Sequence, residues 1–326
     1  MFKLLTTFIF SMSMLWTLIC FGQWQTYAPL GTLPMQYNSS FAGQVGGPRF
    51  TSNSMYWQHK SDAYKYQGTY SRLSYDQFIP AMRTGIGITV GYSAFSTDLY
   101  YNGHNSFTNP SVSVAIAPKI SISGKYTISS SIDFSFDVSE INFTINRLPD
   151  TLLYSHRKQY GINSRVGLLV NTNKFYLGYT VNIVRQPIYT SLIRHLKGDF
   201  ESYLQAGYTF QREPESDFSF TPQVVIKLAK YTRENRMYSG IEAYNLNFRY
   251  KQFIWGMNDG GFPSITPLQD KKLREKVAIH LGWQTGRVRI MLSNSYNPRH
   301  KGFTYNGNLS LRYIFTDKTQ KARRPW

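Results

Sequence analysis

The stretch KYTISSSIDFSFDV, Lys125 to Val138, decides the fold. Every second residue from Tyr126 is large and mostly apolar: Tyr126, Ile128, Ile132, Phe134, Phe136 and Val138. The residues between them are Lys125, Thr127, Ser129, Ser131, Asp133, Ser135 and Asp137. A period of two places these sets on opposite faces of one β-strand. In a soluble sandwich the polar face meets water and strands are usually shorter. Here the run is long enough to cross a bilayer at a tilt of about 45°. Its small polar face suits a wet lumen.

The same pattern recurs along the chain. In TGIGITVGYSAF, Ile86, Ile88, Val90 and Tyr92 oppose Gly85, Gly87, Thr89, Gly91 and Ser93. In KVAIHLGWQ, Val277, Ile279, Leu281 and Trp283 oppose Lys276, Ala278, His280, Gly282 and Gln284. Fourteen such runs begin near Gly47, Gln67, Thr84, Ser111, Lys125, Tyr160, Lys174, Glu201, Phe218, Arg236, Arg249, Lys276, Arg287 and Tyr305. Their connections alternate in length. Ser123-Gly124, Thr172-Asn173, Asn247-Phe248 and Thr285-Gly286 are tight, and Asp76–Arg83 and Arg212–Asp217 are short. Thr97–Pro110, Ser139–Gln159, Gln186–Phe200 and Asn258–Glu275 are long. Short turns at one end and longer loops at the other characterise an outer-membrane barrel. The expected fold is therefore all-β, a transmembrane antiparallel up-and-down β-barrel of about 14 strands, spanning 47–315.

Composition agrees. Aromatic residues reach 16% and charged residues only 17%, at a mean hydropathy of −0.35. Aromatic girdles over a polar interior give such a profile. The net charge of +18 and pI of 9.8 raise the question of nucleic acid. However, the basic residues are scattered along strands, and the dense run Lys318–Arg324 lies beyond the last one, so no nucleic-acid partner is expected. A basic lumen, or basic rims beside anionic outer-membrane lipid, accounts for the charge.

MFKLLTTFIFSMSMLWTLICFGQW carries Lys3, an apolar run from Leu4 to Phe21, and small residues at Cys20 and Gly22. It reads as a signal peptide over 1–22. The sole cysteine, Cys20, lies within it, so the mature chain has no thiol for disulfides or metal. Segment 23–46 precedes the barrel, at its periplasmic mouth or as a lumen plug together with Asn258–Glu275. Residues 316–326 form a basic C-terminal tail. Both termini are expected on the periplasmic side, and no homo-oligomer is expected.

Chemistry is sparse. His59, His104, His156, His195, His280 and His300 lack the i, i+4 spacing of a helical zinc site. GIGITVG lacks the strand–turn–helix setting of a dinucleotide fingerprint. No G-x-S-x-G elbow occurs. No catalytic, cofactor or metal residue is assigned, and the protein is expected not to be an enzyme. The inward charges expected are Asp133, Asp137, Arg165, Lys227, Glu242, His280, Arg287, Arg289 and Arg312. They form either an ion-pair network filling the lumen or the lining of a selective pore.

QYNSSFAGQVGGPRF, Gln36 to Phe50, includes an Asn-x-Ser sequon and glycines, but no helix follows that would make it a phosphate loop. It reads as a compact turn anchored by Phe41. NSSFAG, Asn38–Gly43, resembles the N-P-A-(aromatic)-A-G segment of PorP/SprF-type proteins of Bacteroidetes, with Ser39 where proline is expected. YWQ, Tyr56–Gln58, resembles their R-N-Q-W strand. SYDQFIPAMRTGIGITVGY resembles their S-x-D-x-P segment leading into a Gly-alternating strand. YLQAGYTFQ with FTPQVVIK resembles their G-Y-x-F strand followed by P-S-(aliphatic)-(aliphatic)-K. YNGNLSLRY departs from the family's G-x-H-E-like step after Gly307. The resemblance implies a non-enzymatic outer-membrane barrel of type IX secretion and gliding motility. It would bind a secreted adhesin or another secretion component. Asn38, Phe41, Ala42, Gly43, Trp57, Asp76 and Pro80 become the family-motif or partner-contact candidates. The alternative is a porin-like or specific solute channel.

Overall fold

The computed structural model describes residues 34–44, 47–60, 64–99, 103–122, 125–146, 152–185, 198–211, 217–231, 236–260, 277–285, 287–296 and 303–315. They form a closed barrel of 14 antiparallel strands in chain order. These are β1 (Arg49–Lys60), β2 (Tyr64–Ile79), β3 (Thr84–Leu99), β4 (Gly103–Ile122), β5 (Tyr126–Asn146), β6 (Leu152–Asn171) and β7 (Phe175–Arg185). They continue with β8 (Gly198–Tyr208), β9 (Phe218–Tyr231), β10 (Arg236–Tyr250), β11 (Phe253–Gly260), β12 (Val277–Gln284), β13 (Val288–Tyr296) and β14 (Phe303–Ile314). β14 closes on β1 from Arg49↔Ile314 to Lys60↔Phe303. Closure pairs the backbone groups that an open sheet would leave bare in hydrocarbon.

Burial is inverted relative to a soluble protein. Ser129, Ser131 and Asp133 of β5 are buried, whereas Ile132, Phe134 and Phe136 are exposed on the outside. β3 repeats this with Ile88, Val90 and Tyr92 outward. A belt of this kind is a liability in water and a requirement in lipid.

The belt has a clear upper limit. On the outer face of β5, apolar residues end at Val138 and are followed by Glu140 and Asn142. Val138 pairs with Tyr160, below which β6 presents Ile162 and above which it presents Lys158 and His156. Tyr160 stacks on Phe136, with centroids 6.2 Å apart. Tyr92↔Pro110 marks the same transition on β3 and β4. Between Tyr126 and Val138 the chain advances about 40 Å, or about 28 Å along the membrane normal, close to the ~25 Å apolar band of such barrels.

Strands β3–β6 continue past this limit, which corrects two expected loops. β4 begins at Gly103 rather than near Ser111, β5 runs to Asn146, and β6 begins at Leu152 rather than near Tyr160. Much of Thr97–Pro110 and Ser139–Gln159 is thus strand. Outside lipid the outer face can be polar without breaking the ladder, so the lipid-facing pattern stops there while hydrogen bonding persists; on β5 the parity reverses, with Ile141 buried on the inner face. Asp76 likewise lies within β2, and the connection to β3 is the 3-10 turn Pro80–Met82 followed by Arg83 at φ 50°. The turn expected at Asn247-Phe248 is a further correction: β10 runs on to Tyr250, with Asn247 paired to Gly256, and the turn lies at Lys251-Gln252. The other tight connections cluster at this same end of the barrel. Residues 1–33, 261–276 and 316–326 lie outside the described residues, and with them the expected leader, most of the expected second plug and the basic tail.

Candidate functional site: a lumen segment at the short-turn mouth

Residues 34–44 precede β1 and lie against the inner wall. Two 3-10 turns, Pro34–Gln36 and Ser39–Phe41, shape them. The Asn38 side chain caps the second turn, accepting from the Ser40 N–H at 2.9 Å. Phe41 N–H donates to Asn38 O at 3.2 Å, and Ala42 N–H to Ser39 O at 3.0 Å. Short polar side chains that bond their own backbone favour such turns over a strand. Gly43 then takes φ +64°, a region that favours glycine. Met35, Tyr37, Asn38, Ser39, Ser40, Phe41 and Ala42 are all buried.

The wall receives this segment through small residues. Ser131 of β5 bonds both Ser39 Oγ, at 2.9 Å, and Ser40 Oγ, at 2.8 Å. Asn38 Nδ2 donates to Leu168 O of β6 at 3.0 Å. Gln44 Nε2 reaches Ser129 Oγ at 3.2 Å and Asn171 Oδ1 at 3.1 Å. A Cβ on Gly85 would overlap the Ala42 carbonyl, and one on Gly167 would strike the Asn38 side chain. These lumen glycines make room for a second layer of backbone. Phe41 packs edge-on to Tyr176 at 5.3 Å, within an apolar cluster with Met35, Ala42, Ala117 and Leu169. Tyr37 reaches the far side, where it clusters with Val225, Ala243 and Tyr203.

Charges clamp the segment at three points. Asp76 Oδ1 accepts from Gly43 N–H at 2.7 Å, and the carboxylate holds Arg49 through Nε at 2.7 Å and Nη2 at 3.1 Å. Arg49 Nη2 also donates to Phe41 O at 3.2 Å. Lys119 Nζ donates to Ser40 O at 3.1 Å and to Ser129 Oγ at 3.1 Å. Arg165 donates to Asp133 at 3.1 and 2.7 Å and, through Nη1, to Gln36 O at 2.8 Å. The Arg49–Asp76 and Arg165–Asp133 ion pairs offset part of the cost of burying charge, whereas the Lys119 ammonium is held by neutral oxygens.

Asn38, Phe41, Ala42, Gly43 and Asp76 therefore converge on one site. Trp57 is buried on the inner face of β1 against Gly68, farther along the lumen, and Pro80 opens the exposed turn at the rim. Among the inward charges, Asp133 with Arg165 joins the site, and Lys227 of β9 pairs with Glu201 of β8 farther round the wall. Asp137 accepts from Asn163 Nδ2 at 2.8 Å. His280 is fully buried, with Nε2 beside Asn247 Oδ1 at 2.8 Å. Arg312 is buried, and Arg289 Nε donates to Gln284 Oε1 at 2.7 Å. Arg287 is a correction: it precedes β13, in the short connection, and is exposed. Strand parity had extended one residue too far into the turn. The side chain of Glu242 lies outside the described residues, and the β9–β10 register shifts between Ile241 and Ala243. Arg49 and Lys119 were missed, although both have lumen parity: Arg49 with Thr51 and Asn53, Lys119 with Ala117.

A closed antiparallel barrel with an apolar outer belt and a polar, charged interior is an outer-membrane β-barrel protein. Residues 22–311 match the family of the type IX secretion system membrane protein PorP/SprF. The chain belongs to that family. No curated protein is matched by its sequence. Solved structures share the fold. The toluene transporter TbuX of Ralstonia pickettii has 10% identity and a TM-score of 0.56, covering 91% of this chain and 97% of its own. A FadL homologue of Pseudomonas aeruginosa has 8% identity and a TM-score of 0.51, covering 91% and 100%. The P. putida toluene transporter TodX has 13% identity and a TM-score of 0.50, covering 86% and 93%.

Proposed function

We propose that this protein is a non-enzymatic outer-membrane component of type IX secretion that binds a secreted adhesin or another component of the machinery. Its short-turn mouth and both termini face the periplasm, and its taller rim faces outward. The observation that carries this reading is the protein's own segment 34–44, clamped across the mouth by Asp76, Lys119 and Arg165. A wall built to hold its own backbone suits a partner-binding barrel better than an open pore. Family membership supports the secretion role. Deleting the gene should leave a specific large surface protein absent from culture supernatants, with nutrient uptake intact. Unchanged supernatants would overturn the proposal.

A solute channel is the second reading. It is favoured by buried lumen atoms with no hydrogen-bond partner among the described residues, including Thr180 Oγ1, Ser202 Oγ, Gln205 Nε2 and Ser293 Oγ. Such atoms suit a lining that meets water. Conductance separates the two readings, since an occupied mouth passes little steady current.

A further inference from the structure

The outer face of β8–β12 at the short-turn mouth carries two adjacent rows of aromatic rings. Phe210, Phe220, Phe248 and Trp255 are cross-strand partners, in that order around the wall. Their rings stack at 5.9, 4.7 and 6.0 Å with interplanar angles of 21°, 24° and 13°, within the range of favourable aromatic pairs. Two residues nearer the turns, Phe218, Tyr250, Phe253 and Trp283 form a second row. Both rows face outward, because Gln223, Asn245 and Ile254, of the opposite parity, are buried on the lumen side. Phe210, Phe218, Phe253 and Trp283 are exposed. At the same end of β3 and β4 the outer residues are Ile86, Ile116, Ile120 and Ile122, aliphatic where β8–β12 carry rings.

The turn below these rows is fixed in place and carries one charge of each sign. Lys251, between β10 and β11, takes φ 53°, and its N–H donates to the Asp217 carbonyl at 2.7 Å. Gln284 N–H donates to the Gln252 carbonyl at 2.6 Å, and Trp283 Nε1 donates to Gln252 Oε1 at 3.3 Å. Lys251 Nζ lies over the Tyr250 ring, 5.7 Å from its centroid. It is 3.9 Å from Asp217 Oδ2, and the two side chains are 58% and 63% exposed. An ion pair this long and this exposed adds little to stability, so each charge stays available to a group of opposite sign. Aromatic rings at the rim of a belt sit where acyl chains meet headgroups. A ligand that complements all of this has a phosphate for Lys251, an ammonium for Asp217 and apolar tails for the rings. A purely anionic lipid would set like charge against Asp217.

We propose that the β9–β11 rim is a binding site for a zwitterionic phospholipid. The phosphate pairs with Lys251, the ammonium with Asp217, and the acyl chains pack along the two aromatic rows. The site follows from the outer wall alone, whereas its placement in the periplasmic leaflet rests on the orientation proposed above.

The test uses the purified full chain in detergent micelles, given an equimolar mixture of phosphatidylethanolamine and phosphatidylglycerol with identical acyl chains. Native mass spectrometry should show retained lipid, with phosphatidylethanolamine favoured about two- to five-fold, which is what one exposed ion pair is worth. Asp217→Asn should abolish that preference, and Lys251→Gln should lower retention of both lipids. The double variant F218L/F253L, checked for an unaltered heat-dependent gel shift, should lower retention of both without changing the preference. Lys125→Gln, at the turn before β5, should change nothing. Equal retention of the two lipids by the wild type, no retained lipid, or an unchanged preference in D217N would overturn the proposal. So would photo-cross-links from a probe at Phe253 in cells that run only to another protein. Cys20, the sole native cysteine, lies within the expected leader, so K251C reports the leaflet. An impermeant maleimide should label it only after the outer membrane is opened. Labelling in intact cells would overturn the proposed orientation, while the micelle measurement still decides the site.

Discussion

Asp76 accepts the Gly43 N–H with one carboxylate oxygen while both oxygens hold Arg49, whose guanidinium also caps Phe41 O. Both side chains are almost wholly buried. Asp76→Ala should cost about 3–5 kcal/mol, because it strands the Arg49 charge. Thermal unfolding in micelles would measure this, and the double variant D76A/R49M should be less damaged than D76A alone. Gly85 gives a sharper contrast. Gly85→Ala would drive its Cβ into the fixed Ala42 carbonyl, whereas at Gly91 the nearest obstacle is the Ser111 hydroxyl at 2.6 Å. A backbone obstacle cannot swing aside, so G85A should cost about 1–3 kcal/mol. It should also expose residues 34–44 to limited proteolysis. G91A should keep wild-type protection, since a serine hydroxyl can rotate away.

At the scale of the strand, depth in the membrane governs what a substitution does. Phe134 sits within the belt and is 54% exposed to the lipid side. Phe134→Arg should destabilise by about 2–4 kcal/mol in a bilayer. Thr108→Arg, above the belt and opposite Glu140, should be nearly neutral. Urea unfolding in liposomes of both variants would check the pair. A comparable loss at Thr108 would place the boundary higher than Val138 and Tyr160. The same boundary explains which parts of the strands were legible. Lys125–Val138 alternates because one face meets lipid and the other the lumen. Beyond Val138 that contrast ends: Ser139–Asn146 still alternates, but with the opposite parity, Ile141, Phe143 and Ile145 against Glu140, Asn142, Thr144 and Asn146, so it does not extend the lipid-facing pattern. Its pairing with Leu152–Gln159, and with Asn105–Thr108 of β4, makes it a continuation of the same strand.

Across the whole molecule, closure and occupancy of the mouth are the properties that matter for function. The purified wild-type protein should show little steady conductance in planar bilayers, and deletion of residues 34–43 should raise it severalfold. Large steady currents from the wild type would overturn the plugged reading. The lumen is also asymmetric: the 3-10 turn Ser39–Phe41 rests on β3–β6, and Tyr37 spans to β8–β10. A leak caused by G85A should therefore be smaller than that caused by the deletion, since Tyr37 keeps its own cluster.

Strand alternation, the number of strands and the alternation of short and long connections were written in the sequence, because the bilayer imposes a two-residue period and a fixed span; the turn expected at Asn247-Phe248 lay a few residues further on, at Lys251-Gln252. Asn38–Gly43 was legible as a compact turn, because its short polar side chains and glycine favour one locally. The tertiary structure alone decided where that turn lies. Its fate depends on Asp76, Ser131 and Arg165, which belong to three different strands and meet only when the sheet closes. Arg49 and Lys119 had the right parity, yet parity names a face and no partner.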